Sequence, residues 1–261
     1  MPAAARAIAA TKPGAETIDL QEGNSHGILL LHGFGDTPQT LGLLAQDLHQ
    51  HRFDVRAPLL PGHGTSVDEF IHSRRQDWID CARRELDTLR ASHEKVSVAG
   101  LSMGGAIAAL LAAEGHDIRS LVLMSPYLDM PVTHRVASGS FWLWGGIAGV
   151  RKASSPRSIL NPDERAKNLG YGVYSGRMLF ELWKVASSAR RALPRVTVPT
   201  LVIQSRNDPR ISPEIAERAL ASLGAKEKKL EWVEGGHIIT VDYGRDKVFE
   251  EVRSWIAAHA H

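Results

Sequence analysis

The sequence predicts an α/β chain with a mostly parallel, doubly wound central sheet, helices on both faces and one long insertion. Three observations carry this prediction. Short runs at 27–31, 96–101, 120–124 and 200–203 are apolar almost throughout, the composition of strands covered on both faces. Between them lie segments with apolar residues at helical spacing, joined by short connections, the alternation that builds parallel sheets. The alternation breaks once, between 129 and 196, over a length that a plain connection does not need. With 261 residues, 43% of them hydrophobic, the chain can bury one substantial core. The expected division is a core of 1–128 and 197–261 with a lid of 129–196.

Residues 1–15 read as a loose arm, and Thr17 to Leu20 alternate as a half-exposed strand. The run 27–31 is the first buried strand and exits into His32-Gly33-Phe34-Gly35-Asp36. Thr37-Pro38 then reads as a helix N-cap with proline in the first helical position, and Leu41, Leu44 and Leu48 fall on one face. Residues 53–57 form the next strand, and the glycine- and proline-rich 59–64 a loop. Ile79, Ala82, Leu86 and Leu89 recur at helical spacing within 76–92, ahead of the strand that ends at Ser102. Further on come the strands 120–124 and 200–203, a helix opened by Ser212-Pro213, and a last strand at 230–233. A closing helix turns Val248, Val252, Trp255 and Ile256 inward.

Within 129–196 no buried strand is evident, 141–147 is rich in aromatic residues and glycine, and 178–190 is helical in pattern. Phe141, Trp142, Trp144 and Ile147 are candidates for an apolar acyl pocket, with a small core of the lid itself as the equal alternative. Lys and Arg outnumber Asp and Glu by seven in this interval, whereas the whole chain nets only +2. A solvated basic face is the simpler reading, weak contact with an anionic membrane surface the other. Nothing in the overall charge calls for nucleic acid. Cys81 is the only cysteine, which excludes an intrachain disulfide and a cysteine-rich metal site; inside a helix and with no histidine beside it, it reads as packing. The first residues hold no sustained apolar run before Lys12, and no stretch approaches membrane-spanning length, so a cytoplasmic location is expected.

The chemistry centres on Gly100-Leu101-Ser102-Met103-Gly104, a strand, a sharp turn and a helix start. In such a turn the serine hydroxyl stands clear of the sheet, and both flanking positions need glycine to avoid the neighbouring strand and helix. The helix start also aims backbone N–H groups, chiefly that of Met103, at the place where an oxyanion would form. A serine hydroxyl is a weak nucleophile at neutral pH and needs a base, which in turn needs an orienting group. Asp208 and His237 each follow a late strand, at the end of the sheet where parallel folds gather reactive groups, and the order Ser102, Asp208, His237 suits a nucleophile elbow. The loop after the first buried strand offers the N–H of Phe34 as a second oxyanion donor. Asp129 is the rival acid, while His32 and His63 read as residues that hold loop shape.

These pieces, together with Leu60-Pro61-Gly62-His63-Gly64 and Gly236-His237, resemble the α/β-hydrolases, and among them bacterial carboxylesterases and monoacylglycerol lipases. The resemblance spans nearly the whole chain outside the insertion. It implies the α/β-hydrolase fold, with Ser102 as nucleophile, His237 as base, Asp208 as orienting acid, and Phe34 and Met103 as backbone donors. It further implies a carboxylic ester or monoacylglycerol substrate and an acyl-enzyme intermediate, with no metal or cofactor. The alternatives are a cofactor-free haloperoxidase or perhydrolase, a carbon–carbon bond hydrolase on the same fold, and a non-catalytic binding module. Haloalkane dehalogenases and epoxide hydrolases carry Asp where this chain has Ser102. No feature of the sequence indicates an oligomeric state.

Overall fold

The computed structural model describes residues 9–129, 149–152 and 158–260. Its main sheet has seven strands in the order β1-β3-β2-β4-β5-β8-β9, formed by β1 (Ile18–Leu20), β2 (His26–Leu31), β3 (Asp54–Ala57), β4 (Lys95–Leu101), β5 (Leu121–Met124), β8 (Thr200–Ser205) and β9 (Lys228–Val233). Only β1 runs antiparallel to its neighbour; every other pairing in the sheet is parallel. The chain moves from β2 outward to β3, then returns to β4 on the other side of β2. That reversal opens a crevice at the carboxyl ends of β2 and β4, the place where open α/β sheets bind ligands.

Successive side chains along each strand serve opposite cores. Leu29, Leu31, Val96, Val98, Leu121, Leu123 and Val202 meet α3 (Arg75–Ser92), α4 (Met103–Ala113), α6 (Gly176–Ala192) and α7 (Pro213–Ser222). Ile28, Leu30, Ala99, Leu101, Val122, Met124, Leu201 and Ile203 meet α1 (Gly42–Gln50) and α8 (Arg245–Ala258). β2, β4, β5 and β8 are apolar over most of their length because both of their faces are covered. Val248, Val252 and Ile256 are fully buried as expected, with Trp255 packed beside them.

The segment after Thr37 starts as a 3-10 turn, Pro38–Leu41, before α1 begins. Thr37 is extended, as an N-cap should be, but makes no side-chain cap bond. Asp36 takes that role instead: its carboxylate accepts from the Thr37 N–H at 2.9 Å and the Thr40 hydroxyl at 3.0 Å. Two short helices were not evident in the sequence, and both are capped by side chains. Ser66 opens α2 (Val67–His72) by accepting from the Glu69 N–H, and Asn161 opens α5 (Pro162–Lys167) by accepting from Asp163 and Glu164.

The expected 129–196 lid is not uniform. Its last helix, α6, lays Leu182, Val185, Ala186 and Ala189 into the same core as α4. Residues 149–152 and 158–175 sit apart from that core, with a two-residue ribbon between β6 (Arg151–Lys152) and β7 (Val173–Tyr174). Cys81 is free, half-buried and packed against the α3/α4 core, and burial raises its thiol pKa. Among the described residues no helix is long and apolar enough to cross a membrane, and no group of three or more His, Cys, Asp or Glu is placed to hold a metal ion.

Candidate active site

Ser102 sits between β4 and α4 with φ 55° and ψ −114°, in the region that an L side chain avoids. The surrounding backbone leaves it no other course. Its N–H donates to the Met124 carbonyl at 2.9 Å, and its own carbonyl accepts from Tyr127 at 3.0 Å and Ala106 at 3.1 Å. The two glycines of the turn are steric requirements. A Cβ on Gly100 would lie 2.3 Å from the Gly104 carbonyl carbon, and one on Gly104 would lie 2.0 Å from the Leu31 carbonyl oxygen.

The three residues proposed from the sequence meet at one rim of the sheet. His237 Nδ1 lies 2.7 Å from Asp208 Oδ2, and its Nε2 lies 2.8 Å from Ser102 Oγ. With the Nδ1 proton directed at the carboxylate, Nε2 is left as the acceptor for the serine hydroxyl. All three side chains are buried: Ser102 is 7% exposed, Asp208 9% and His237 5%. Burial alone would raise the Asp208 pKa, but the attraction and hydrogen bond of His237, with the N–H groups of Arg210 and Ile211, bring it below the ordinary value. Asp208 Oδ1 accepts from Arg210 at 2.7 Å and from Ile211 at 3.1 Å.

A further donor to Asp208 escaped the sequence reading. Gln204, fully buried near the end of β8, gives its Nε2–H to Asp208 Oδ2 at 2.9 Å, so that oxygen serves both His237 and Gln204. The Asp208 and His237 loops are also tied to each other, since the Ser205 hydroxyl donates to the Gly235 carbonyl.

The loop after β2 borders the same place, for a Cβ built on Gly33 would fall 3.5 Å from Ser102 Cβ. His32 and His63 shape loops, as expected. His32 Nε2 accepts from the Leu60 N–H at 3.1 Å, its Nδ1 donates to the Gly33 carbonyl at 2.9 Å, and burial lowers its pKa to about 4. His63 Nδ1 bonds the Pro61 carbonyl, and burial holds its pKa well below the usual histidine value. Asp129 lies elsewhere, paired with Arg190 at 2.7 Å, and so does not serve His237.

Ser102 and His237 open into a cavity of about 760 Å³. Phe34, Tyr127, Ile159, Leu179, Leu182 and Ile238 give it apolar walls, while Arg165, Asn168 and Arg210 give it polar ones. Asp36 also borders it; burial pushes that carboxyl up to about 6 against the lowering effect of the Thr37 N–H and Thr40 hydroxyl bonds. Of the pocket residues expected from the sequence, Phe141, Trp142, Trp144 and Ile147 lie outside the described residues.

Known proteins resemble this chain over most of its length. A thermostable monoacylglycerol lipase of Bacillus sp. (strain H-257) is 29% identical over 90% of this chain and 91% of its own length. A carboxylesterase of Bacillus subtilis (strain 168) is 25% identical over 90% and 94%. Among solved structures, one of the metagenome-derived lipolytic enzymes LipS and LipT superposes with a TM-score of 0.86 at 26% identity, covering 96% of this chain and 100% of that one. The monoacylglycerol lipase of Paleococcus ferrophilus, at 22% identity, shares the fold with a TM-score of 0.81 over 93% and 98%. The hydrolase family model described as serine aminopeptidase, S33, matches residues 24–242, and the chain belongs to that family of α/β-hydrolases.

Proposed function

We propose that the ester hydrolysis carried out by this chain proceeds by acyl transfer through Ser102, with His237 as base and Asp208 as the group that orients it. The observation that carries this is the unbroken run of hydrogen bonds from Asp208 through His237 to Ser102, opening on a cavity. His237 takes the hydroxyl proton as Ser102 attacks the ester carbonyl carbon, and the Phe34 and Met103 N–H groups hold the oxyanion. The intermediate then collapses, His237 protonates the departing alkoxide, and the acyl group stays on Ser102. Water then attacks the acyl carbonyl as it gives its proton to His237, and the second intermediate collapses as His237 passes that proton to Ser102 Oγ, releasing the acid. The buried Asp208 carboxylate stabilises the imidazolium in both halves without taking the proton itself.

A monoacylglycerol or another monoester of modest size is the substrate class we assign. Two features support it: the cavity has an apolar wall for an acyl chain and a polar one for a small alcohol, and the relatives carry the names of monoacylglycerol lipases and carboxylesterases. The 129–196 insertion is the proposed lid, and Ser158, Ile159, Asn168, Val173 and Tyr174 among its described residues line this cavity. Weak attachment to anionic lipid would use the exposed Arg151 and Lys152, and Arg151→Glu should then reduce co-sedimentation with anionic vesicles. The substrate test compares kcat/KM for 1-monoacylglycerols and para-nitrophenyl esters of graded chain length with that for an amino-acid para-nitroanilide, a diketone and a perhydrolysis assay. Esters should exceed the other substrates by at least about a hundredfold, roughly 2.7 kcal/mol of transition-state discrimination. Preference for the anilide or the diketone would overturn the assignment.

A further inference from the structure

Asp242 is 1% exposed and lies five residues beyond His237. Its carboxylate is surrounded by backbone donors. Oδ2 accepts from Gly236 at 2.7 Å and Leu160 at 2.8 Å; Oδ1 accepts from Asn161 at 2.9 Å and Tyr243 at 3.0 Å. One carboxylate therefore bolts two pieces of chain together, the loop that carries His237 and the segment 158–161 on the cavity side. The Ser158 carbonyl adds to the joint by accepting from both His237 and Ile238 N–H at 2.9 Å. The Ser158 hydroxyl accepts from Arg210 Nε at 3.0 Å, which ties the same segment to the turn that holds Asp208.

Two glycines make room for the joint. Gly235 has φ +122° and a Cβ there would press on the Asp242 side chain at 3.0 Å, while a Cβ on Gly244 would lie 2.3 Å from the Glu234 carbonyl oxygen. An ordinary side chain at either position would push the loops apart. The Gly236 N–H held by Asp242 lies one residue before His237, so the carboxylate fixes the backbone that leads into the imidazole.

We infer that Asp242 is a positioning residue for the reaction, setting the His237 imidazole between Ser102 and Asp208 and coupling that placement to the seating of segment 158–161. This rests on His237 being the base. Misplacing a reacting group by about 1 Å is enough to cost roughly 100-fold in rate, and Asp242→Asn puts an amide N–H against a backbone N–H donor at one of the two oxygen positions.

The experiment titrates active sites with a fluorophosphonate and measures kcat and KM per titrated site for para-nitrophenyl acetate, in the wild type, Asp242→Asn and Asp242→Glu. A fall in kcat of roughly 10- to 100-fold in Asp242→Asn, with KM changed much less, is the expected result. A residue that only holds the fold would lower the number of titratable sites and leave kcat per site alone. A kcat per site within about threefold of wild type would therefore overturn the inference. Asp242→Glu keeps the charge and moves it by one methylene, and the same criterion applies to it if Asp242→Asn does not fold. Failure of both variants to fold would equally overturn it. Failure of the underlying site reading would show separately, as a wild-type chain that does not take the titrant at Ser102.

Discussion

The elbow at Ser102 and the segment from Ser158 to Tyr174 face each other across one cavity and are held by opposite means. Residues 98 to 109 are buried without exception, and the turn is fixed by backbone-to-backbone approaches so close that a single added carbon would collide. The segment across from it is mostly half-buried and rests on a few separate anchors. Among them are the Asp242 carboxylate, the Ser158 carbonyl bonded to His237 and Ile238, the Tyr171 N–H bonded to the Gly35 carbonyl at 2.8 Å, and the Tyr171 ring stacked on Phe70 at 4.8 Å. Packing enforces the geometry of the Ser102 turn, whereas the opposite wall of the cavity hangs on a handful of polar and aromatic contacts. The Ser102 turn is thus insulated from changes in the wall, whereas the His237 loop is tied to its 158–161 end through Asp242 and Ser158.

The sharpest way to break this contrast is an equal insult to both regions. Gly104→Ala drives a methyl group into the Leu31 carbonyl, which cannot move without the sheet, and should cost more than about 4 kcal/mol, enough to abolish soluble folded protein. Thermal melting and soluble yield would measure it.

Acid should strike next. His32 and His63 are neutral inside the fold, with the His32 pKa lowered to about 4, so between that value and about 6.5 the unfolded chain binds protons that the folded chain does not. The His32 contribution is complete above about pH 6.5 and is lost as pH falls towards 4, at roughly 3 kcal/mol, and that of His63 is lost in the same direction. Asp36 acts in the other direction, its pKa of about 6 favouring the folded state most at low pH and progressively less between about 4 and 6. Urea midpoints measured from pH 7 to pH 4 should fall, and His63→Phe should flatten the decline. A midpoint independent of pH would contradict the buried neutral histidines.

Gln204→Leu should separate activity from stability. It removes a donor to Asp208 and also a buried carbonyl oxygen that has no partner among the described residues, so kcat should drop about tenfold, roughly 1.4 kcal/mol, while the melting temperature hardly changes. The smallest effect belongs to Gly170→Ala, the counterpart of Gly104→Ala in the other region. There the nearest atom is the Asn168 side-chain oxygen at 2.7 Å, which can swing aside, with the Gly35 carbonyl oxygen next at 3.2 Å, and the expected loss is about 1 kcal/mol. A loss as large as at Gly104 would erase the distinction between the two regions.

The same contrast explains what could be read from the sequence. Ser102, Asp208 and His237 each follow a strand, so local pattern and chain order pointed to them without knowledge of any contact. The glycines beside Ser102 were legible for the same reason: a tight turn restricts its own residues. Gln204 and Asp242 were not. Gln204 sits in a strand where one polar residue among apolar ones carries no label for its partner, and Asp242 follows a loop in which an aspartate is an ordinary turn former. Their importance lies in backbone groups brought from distant segments, Leu160 and Asn161 in the case of Asp242. The insertion was legible only as a break in rhythm, and α6 within it belongs to the main core because its apolar stripe meets α4, a pairing that only the tertiary structure supplies.

The most direct measurement is to treat the chain with a fluorophosphonate, digest it and locate the adduct by mass spectrometry, alongside Ser102→Ala. A single phosphonyl group on the peptide bearing Ser102, absent from the variant and accompanied by loss of ester hydrolysis in both, is the expected result. Adduct on another residue, or ester hydrolysis by Ser102→Ala within about tenfold of wild type when the loss should be roughly 10⁴-fold or more, would contradict it.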